Sequence, residues 1–560
     1  MKKFAKLTSL LLIAAMVLTA CGGSSSTAST TAAAEAETEA AEAAEPAAEA
    51  TETSDQSIIF ALNSIPESID PGLTSETYAS PILYNAFEGL ITYDSDNNII
   101  PGNAESWDVS DDGLVYTFHI REGLKWSDGS DLNANDYVYS WIRVITPEAG
   151  SLYADQMLPY IANAQEYYNG ECSAEDVGIK AIDNYTLEVT LLNPTSYFLG
   201  LLGMYTYCPV QQATVEANGD QWTLSPETYI CNGPFVVTEI NFNDSYVMAK
   251  NPYYWDAENV KLENLTFKFI ADTTTALNSF EAGEVDGIWE VPSDDLPTLR
   301  ATSDELITVP SFGTTYHLFN CSVAPFDDVN VRKAFNLAID RTALIESVLG
   351  TTDEPAYALV SPGYVVNGVD ATDGRGTYGM SATADVEAAQ QALADAGYPN
   401  GEGFPTITYY YSTNDTYKKT VEALANMLET NLNITIELKT ADWAVFYEDV
   451  QNGDYQIAQM GWGGDYLHPM TFLPLFVTDN VNNNAFFSDP TYDELVAVVQ
   501  NETDDEAALD EIRAAEDELM SQYAMLPLFH RSYNYMMKSN CHGYFRTPLN
   551  CLYFREAYVD

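Results

Sequence analysis

Short stretches of alternating apolar and polar residues recur along the chain, and they predict β-strands. Leu114, Tyr116, Phe118 and Ile120 are separated by single residues of other types, so we expect them on one face of a strand at 114–121. Other short stretches rich in apolar residues predict further strands at 56–62, 406–411, 434–438 and 455–460.

Apolar residues at helical spacing predict helices between these strands. Val421, Leu424, Ala425 and Leu428 share one face of a helix at 417–430, which lies between two predicted strands. This succession of strand, helix and strand predicts a βαβ-like unit, and the body as a whole is predicted to be α/β. Further helices are predicted at 84–90, after a cap at 133–136, and at 385–396.

The N-terminal segment has the pattern of an export signal. A basic stretch, 1–6, is followed by an apolar run, 7–17, which is too short to span a bilayer, and small residues precede Cys21. The segment 1–20 resembles a lipoprotein signal peptide, which implies cleavage before Cys21 and a diacylglycerol on its sulfur. The alternative is a secretory signal followed by an unmodified cysteine.

Residues 21–55 are predicted to be a tether that starts at the lipidated cysteine. From residue 22 onward this stretch contains no aromatic residue and consists mainly of Gly, Ser, Thr, Ala and Glu, so it has too little apolar surface to fold alone. No later apolar run approaches about 18 residues, so we expect the rest of the chain to be a body on the outer face of the cytoplasmic membrane.

Size and composition restrict what this body is. Its roughly 505 residues exceed the length at which one hydrophobic core stops growing, so at least two lobes are expected. With 83 acidic against 23 basic residues and a formal charge of −60, nucleic acid is not an expected partner. The 37 tyrosines and 8 tryptophans suit a wide ligand cleft as well as ordinary packing.

The sequence predicts neither a cofactor nor an enzyme. The five histidines have no metal-ligand spacing and no Cys-x-x-Cys occurs, so no metal site is expected. The sequence also lacks a Gly-x-Ser-x-Gly elbow and a His-Glu-x-x-His motif. Export permits disulfides, with Cys541–Cys551 and Cys208–Cys231 nearest in sequence, but buried free thiols are favoured. The cysteines after the signal are Cys172, Cys208, Cys231, Cys321, Cys541 and Cys551.

The stretch Gln459–Tyr466, which is Gln-Met-Gly-Trp-Gly-Gly-Asp-Tyr, is the candidate ligand anchor. Its glycines allow the backbone to turn sharply or to approach another group closely. Asp465 is able to accept hydrogen bonds from a ligand ammonium, and the rings of Trp462 and Tyr466 add cation–π attraction. The alternative is a glycine turn with a capping aspartate.

An ordered set of short motifs gives this chain a resemblance to a known family. The motifs include Phe-Glu-Gly-Leu at 87–90, Trp-Ser-Asp-Gly at 126–129, Asn-Gly-Pro-Phe at 232–235, Lys-Asn-Pro-Tyr-Tyr-Trp at 250–255 and Gly-Trp-Gly-Gly-Asp-Tyr at 461–466. In this order they resemble the oligopeptide- and dipeptide-binding lipoproteins of bacterial ABC importers, which are solute-binding proteins of family 5. The resemblance covers the body from about residue 57 to the end.

The resemblance implies a type II periplasmic-binding-protein-like fold, a two-lobe venus flytrap with an extra inserted domain. Domain II, the insert, is predicted at 93–208 and domain III at 311–529. Domain I is predicted to be assembled from three segments, 57–92, 209–310 and 530–560.

Site residues follow from the same resemblance, motif by motif. It implies that Asp465 binds the α-ammonium of a peptide and that the backbone at Gly463 pairs with the peptide as an added strand. The segment Ser75, Glu76 and Thr77 is implied to pair with the peptide from the opposite side. Tyr153 and Trp462 are candidate pocket walls, with ordinary core packing as the alternative.

Two features of the sequence depart from the family pattern. A disulfide present in some members is excluded because Gly313 and Gly463 stand at its positions. Where some members carry a cation or imidazole for the peptide carboxylate, this chain has Tyr417, Val450 and Gln459. The hypothesis is that the protein takes peptides of variable or greater length, or that it uses a cation elsewhere in the chain.

The implied function is capture of oligopeptides and their delivery to a membrane permease. The expected partners are the permease and ATPase subunits of an ABC importer, with the protein itself a lipid-anchored monomer. The alternatives are a non-peptide solute on the same scaffold, such as a nickel chelate, an opine or an oligosaccharide, and a receptor for signal peptides. No catalysis is implied.

Overall fold

The computed structural model describes residues 55–502 and 505–560. The predicted signal peptide, the acylated Cys21 and the tether up to residue 54 lie outside these residues. Within the described ranges, none of the helices combines the length and apolar character needed to cross a bilayer.

The body is mixed α/β, in agreement with the fold class predicted from the sequence. The strands are β1 (Ser57–Leu62), β2 (Ile91–Tyr93), β3 (Ile99–Pro101), β4 (Ala104–Val109), β5 (Val115–Ile120), β6 (Ile179–Asp183), β7 (Thr186–Thr190), β8 (Phe235–Asn241), β9 (Ser245–Lys250), β10 (Asn264–Phe269), β11 (Gly287–Ile288), β12 (Leu306–Phe319), β13 (Glu354–Pro355), β14 (Val365–Val366), β15 (Val369–Asp370), β16 (Ile407–Ser412), β17 (Ile436–Ala441), β18 (Ile457–Gly463), β19 (Met525–Met537), β20 (Cys541–His542), β21 (Phe545–Arg546), β22 (Leu552–Tyr553) and β23 (Tyr558–Val559). The α-helices are α1 (Ser80–Ala86), α2 (Ala134–Val144), α3 (Ala164–Tyr168), α4 (Phe198–Leu201), α5 (Gln212–Asn218), α6 (Thr273–Glu281), α7 (Leu296–Thr302), α8 (Val329–Leu337), α9 (Val386–Asp395), α10 (Asp415–Leu432), α11 (Trp443–Gln451), α12 (Pro490–Asn501) and α13 (Asp505–Ser521).

One large sheet runs through both lobes of the fold. Its strand order is β17–β16–β18–β12–β19–β11–β1–β10–β9–β8, with β13 added on β19. The long strands β12 and β19 pair antiparallel at its centre, and their register shifts between Pro310 and Thr314. Beyond this shift β12 also pairs with β18, whereas the other end of β19 pairs with β11. The two long strands therefore join the two halves of this sheet.

A separate four-stranded antiparallel sheet, in the order β4–β5–β7–β6, lies within the segment 93–208. On β5, Tyr116, Phe118 and Ile120 are buried and the residues between them are partly exposed, which confirms the predicted alternation. Helix α2 packs beside this sheet and starts with the predicted cap. The Asn133 side chain and that of Asp136 form a reciprocal capping box there.

The predicted βαβ-like unit is confirmed, whereas one predicted helix is wrong in its second half. Strands β16 and β17 are parallel and are joined by α10. Helix α1 ends at Ala86 instead of continuing to residue 90, because the Ala86 carbonyl accepts the N–H of Gly233 at 2.7 Å. Phe87 then takes an extended conformation, with φ −125° and ψ 153°.

A buried ion pair anchors the loop that leads into α1. The Arg143 guanidinium donates to both carboxylate oxygens of Asp70, at 3.0 and 2.6 Å, and the indole N–H of Trp222 donates to the same carboxylate at 2.8 Å. Asp70 is only 4% exposed. The cluster joins three separate stretches of the chain near the base of the loop.

The same loop carries the segment 75–77. The Ser151 hydroxyl donates to the Gly72 carbonyl at 2.7 Å, which ties the loop to the stretch that contains Tyr153. The loop contacts therefore place two predicted parts of the site side by side.

The six cysteines in the described part of the chain are free thiols. Neither pair that is close in sequence forms a disulfide there. Four of the six are buried, namely Cys208, Cys231, Cys541 and Cys551.

Candidate functional site

A cavity of about 630 Å³ brings together five of the residues singled out from the sequence. They are Ser75, Thr77, Tyr153, Gly463 and Asp465. These residues come from the loop before α1, the stretch after α2 and the end of β18. The fold therefore gathers at one cavity residues that are widely separated in the sequence.

The other three predicted residues do not line this cavity. Trp462 is half-buried, and its indole nitrogen has no hydrogen-bond partner among the described residues. Tyr466 is buried and stacks on Tyr197, with ring centroids 5.3 Å apart. Glu76 accepts the backbone N–H of Glu67 with both carboxylate oxygens, each at 3.0 Å. Tyr466 and Glu76 thus support the structure around the cavity.

Asp465 has the unusual electrostatics expected of a ligand anchor. Its backbone N–H donates to the Thr471 hydroxyl at 2.9 Å, but its carboxylate has no hydrogen-bond or ion-pair partner among the described residues. Burial, with a smaller contribution from the negative charge of Asp155, raises the pKa of Asp465 to about 7. A cationic group on a ligand would therefore be able to pair with the Asp465 carboxylate.

The walls of the cavity are rich in aromatic rings. Besides Tyr153, the aromatic lining residues are Tyr78, Tyr84, Tyr205, Trp289, Tyr417 and Tyr533. Such rings provide contact area for varied side chains and attract cations through their faces. The chemistry of the cavity suits a ligand with an amino group at one end and a variable body.

The glycines of the anchor stretch allow close approach but do not form a turn. Strand β18 continues through Gly463 and stays paired with β12, so the chain does not turn at Gly461 or Gly463 and bends only from Asp465 onward. Close approach is confirmed at two of the three glycines. A Cβ on Gly464 would overlap the Tyr364 hydroxyl, and one on Gly461 would lie 2.9 Å from Arg531 Nη2. A Cβ on Gly463 would meet nothing within 4 Å.

One edge of β18 is open beside the cavity. The strand pairs with β12 along its whole length, but its opposite edge pairs with β16 only at Ile457 and Ala458. Among the described residues, no strand pairs with that edge from Gln459 to Gly463. An open edge of this kind is able to accept an extended peptide as an additional strand.

Alanine substitutions at the adjacent residues Gly463 and Gly464 should have different effects on stability. We expect Gly464→Ala to lower the free energy of unfolding by about 1–3 kcal/mol, because the new methyl must displace the buried Tyr364, which packs on Phe312 with centroids 4.4 Å apart. Gly463→Ala should change it by less than about 0.5 kcal/mol, because its Cβ points into open space. Urea unfolding of both variants measures the difference, and equal effects would contradict this packing.

Tyr417, Gln459 and Val450 are the three positions without the cation or imidazole of the family pattern. They differ in where they lie relative to the cavities. Tyr417 lines the cavity that contains Asp465. Gln459 lines a neighbouring cavity of about 330 Å³, which Tyr417 also borders. Val450 is fully buried and borders neither cavity.

Two arginines line the cavity and were missed in the sequence. Arg546 is buried, with its guanidinium carbon 3.6 Å from the centroid of Trp289 and 4.5 Å from that of Tyr533. Burial lowers the pKa of Arg546 to about 10. Arg531 lies on β19 and borders both this cavity and that of Gln459. No local motif marks either residue, since both reach the cavity through tertiary packing.

Known proteins resemble this chain along most of its length. A family model described as bacterial extracellular solute-binding proteins, family 5 Middle, matches residues 98–484. The oligopeptide-binding protein OppA of Bacillus subtilis is 31% identical over 569 aligned positions, which cover 100% of both chains. The periplasmic oligopeptide-binding protein OppA of Salmonella typhimurium is 32% identical, covering 90% of this chain and 92% of its own.

Solved structures agree with these matches. The Haemophilus influenzae OppA complex with the peptide RPPGFSPFR is 30% identical, with a TM-score of 0.72, and covers 90% of this chain and 99% of its own. The murein tripeptide-binding protein MppA of Escherichia coli is 30% identical, with a TM-score of 0.75, and covers 90% of this chain and 98% of its own. These similarities confirm the resemblance and the two-lobe fold, and the chain belongs to the bacterial extracellular solute-binding proteins of family 5.

Proposed function

We propose that this protein is the extracytoplasmic substrate-binding component of a bacterial peptide ABC importer. It captures an oligopeptide between its two lobes and delivers it to a membrane permease. The observation that carries the proposal is Asp465, whose carboxylate has no partner among the described residues and lies in an aromatic-walled cavity. Relatives with bound peptide, including the OppA proteins of Haemophilus influenzae and Listeria monocytogenes, support it.

Recognition in this proposal is mainly through the peptide main chain. The α-ammonium pairs with Asp465, and the backbone of the first residues pairs with the open edge of β18 near Gly463. The segment Ser75 to Thr77 faces the peptide from the other side of the cavity. Main-chain hydrogen bonds do not depend on side-chain identity, so peptides of different sequence fit the same site.

Binding acts through a shift between open and closed arrangements of the lobes. A peptide that contacts both lobes stabilises the closed arrangement, because only that arrangement makes both sets of contacts. The closed complex then docks on the permease. The protein binds and releases its ligand without a chemical step.

The affinity for peptide should have a maximum near pH 7–8. The Asp465 pKa of about 7 in the free protein falls when a peptide ammonium binds, because the opposite charge favours the ionised carboxylate. Binding below pH 7 therefore releases a proton, and affinity falls by roughly tenfold per pH unit below about pH 6. Above about pH 8 the peptide amine loses its proton and affinity falls again.

Calorimetry from pH 5 to pH 9 measures this profile, in two buffers with different ionisation enthalpies. In Asp465→Asn, both the fall in affinity below pH 7 and the proton release on binding should be absent. An unchanged dissociation constant between pH 5 and pH 7 in the native protein would contradict the assignment.

The proposed location follows from the N-terminal sequence. Cys21 carries the lipid anchor, which attaches a monomeric body to the outer face of the cytoplasmic membrane. The permease and ATPase of the importer are the expected partners. Labelling of cells with a radioactive fatty acid should mark the native protein and not the Cys21→Ser variant.

The natural ligand provides the direct test of the proposed function. Protein purified from its own cells is denatured, and the released small molecules are analysed by mass spectrometry. We expect a mixture of peptides with free amino termini. A single non-peptide solute in stoichiometric amount would contradict the proposal.

A further inference from the structure

The side chain of Arg531 reaches from β19 across β12 to β18. A Cβ on Gly461 would lie 2.9 Å from Arg531 Nη2, and one on Gly313 would lie 3.5 Å from Arg531 Nε. In a strand, alternate residues share a face, so Gly461 faces the same side as Gly463, which lines the cavity. The guanidinium therefore lies on the cavity side of β18, in space left by two glycines.

This guanidinium has unused hydrogen-bonding capacity. Its Nη2 donates to the Thr314 carbonyl at 3.4 Å, a long bond, and its Nε is buried without a partner among the described residues. A guanidinium has five N–H donors arranged in a fork that matches a carboxylate. Within the described ranges, most of that capacity is not used by the protein.

Two other arginines, Arg546 and Arg375, are by contrast already engaged by protein acceptors. Arg546, which borders the same cavity, donates to Asn550 at 2.7 Å and to the Trp289 carbonyl at 3.0 Å and is enclosed by aromatic rings. Arg375 donates to the Glu516 carboxylate at 3.1 Å. Arg531 thus differs from Arg546 and Arg375, because none of the described residues offers it a short hydrogen bond.

The carboxylate of Asp353 does not neutralise Arg531 by direct contact. Asp353 borders the neighbouring cavity together with Arg531. Its oxygens accept the Ser532 N–H at 2.8 Å and the Thr351 hydroxyl at 2.7 Å. No ion pair within 4.0 Å joins Asp353 to Arg531. Asp353 therefore moderates the positive potential at Arg531 without occupying its donors.

Arg531 and Asp465 border the same cavity, and the chain between their positions is short enough to allow one short peptide to reach both. Gly461, which the guanidinium overlies, precedes Asp465 by four residues, a span of at most about 13 Å in extended chain. An extended tripeptide spans about 10 Å between its charged ends. An ammonium at Asp465 and a carboxylate at Arg531 are thus compatible with one peptide of about three residues lying along β18.

We propose that Arg531 binds the C-terminal carboxylate of a short peptide whose ammonium is held by Asp465. This inference rests on the proposed function. The sequence left two explanations open for the missing cation: longer or variable peptides, or a cation elsewhere in the chain. The proposal supports the second explanation and identifies this cation as Arg531. The protein then favours zwitterionic peptides of about three residues over the same peptides with a blocked carboxyl end.

The test compares a mixed pool of free-acid tripeptides with the same pool as C-terminal amides and as N-acetylated acids. Calorimetry is performed on native protein and on Arg531→Gln, Arg531→Lys and, as a control, Arg300→Gln, which removes an exposed charge from α7. Native protein should bind the acids about 10- to 100-fold more tightly than the amides. Arg531→Gln should lose this preference and keep its affinity for the amides. Arg531→Lys should keep part of the preference, and Arg300→Gln all of it.

The outcomes separate this inference from the proposed function. Equal affinity of native protein for acids and amides, or a preference that survives in Arg531→Gln, would overturn the role of Arg531 while leaving peptide binding intact. Absence of binding to both free-amine pools would overturn the proposed function as well. The comparison of acids with amides on native protein keeps the inference testable even if Arg531→Gln fails to fold.

Discussion

We expect Asp465→Asn to weaken the binding of free-amine peptides by about two to three decades. The substitution keeps the shape of the side chain but removes the charge that pairs with the ammonium, and loss of one member of a buried ion pair costs about 3–5 kcal/mol. Because the carboxylate pairs with no residue in the described part of the chain, its removal should not destabilise the ligand-free fold. Calorimetry gives the dissociation constant, and thermal unfolding without ligand gives the stability.

Asp155→Asn is the matched control for this substitution. Asp155 is an exposed carboxylate close enough to Asp465 to raise its pKa, but it does not line the cavity. Its replacement should leave peptide affinity at pH 8 within about threefold of native and should lower the pKa of Asp465. A dissociation constant for Asp465→Asn within about threefold of the native value would show that Asp465 is not the anchor.

The largest effect on stability is expected from Asp70→Asn. Its carboxylate is 4% exposed and accepts from both terminal nitrogens of Arg143, from the Trp222 indole and, at 3.0 Å, from the Gly72 N–H. The amide leaves a buried guanidinium without its counter-charge, which costs about 3–5 kcal/mol. Urea unfolding measured at neutral pH should show the loss. The ligand affinity should fall as well, because the loop also carries the segment 75–77.

Asp108→Asn provides the surface comparison. Asp108 pairs with His119 at 2.8 Å, but its side chain is 79% exposed, so its contribution to stability should stay below about 1 kcal/mol. A similar small effect for Asp70→Asn would show that the Asp70 cluster does not hold the loop in place.

Local patterns were sufficient to predict most of the strands and helices and to single out Asp465 as a candidate, whereas its assignment as the anchor rests on the family resemblance. The alternation around Phe118 predicted a half-buried strand because side-chain direction in a strand follows directly from sequence spacing. Asp465 stood out because a carboxylate beside aromatic residues and glycines is chemically distinctive. Both inferences need only residues that are neighbours in the sequence.

The features that were missed depend on contacts between distant parts of the chain. The end of α1 is set by a bond from Gly233, and the position of Arg531 over Gly461 depends on how β12 pairs with two other strands. The pairing of β12 with β19 shifts register between Pro310 and Thr314, and no pattern in the local sequence predicts such a shift. The absence of a cation at Tyr417 and Gln459 was visible in the sequence, whereas the position of Arg531 beside the cavity was not.

The central claim, that the cavity binds peptides through a free amino terminus, is tested most directly by one calorimetric comparison. Purified protein is freed of bound ligand by unfolding and refolding and is titrated with a mixed pool of peptides of three to eight residues, and then with the same pool N-acetylated. We expect saturable binding of the free-amine pool and at least about a hundredfold weaker binding of the acetylated pool. Equal binding of the two pools, or no binding of either, would contradict this claim.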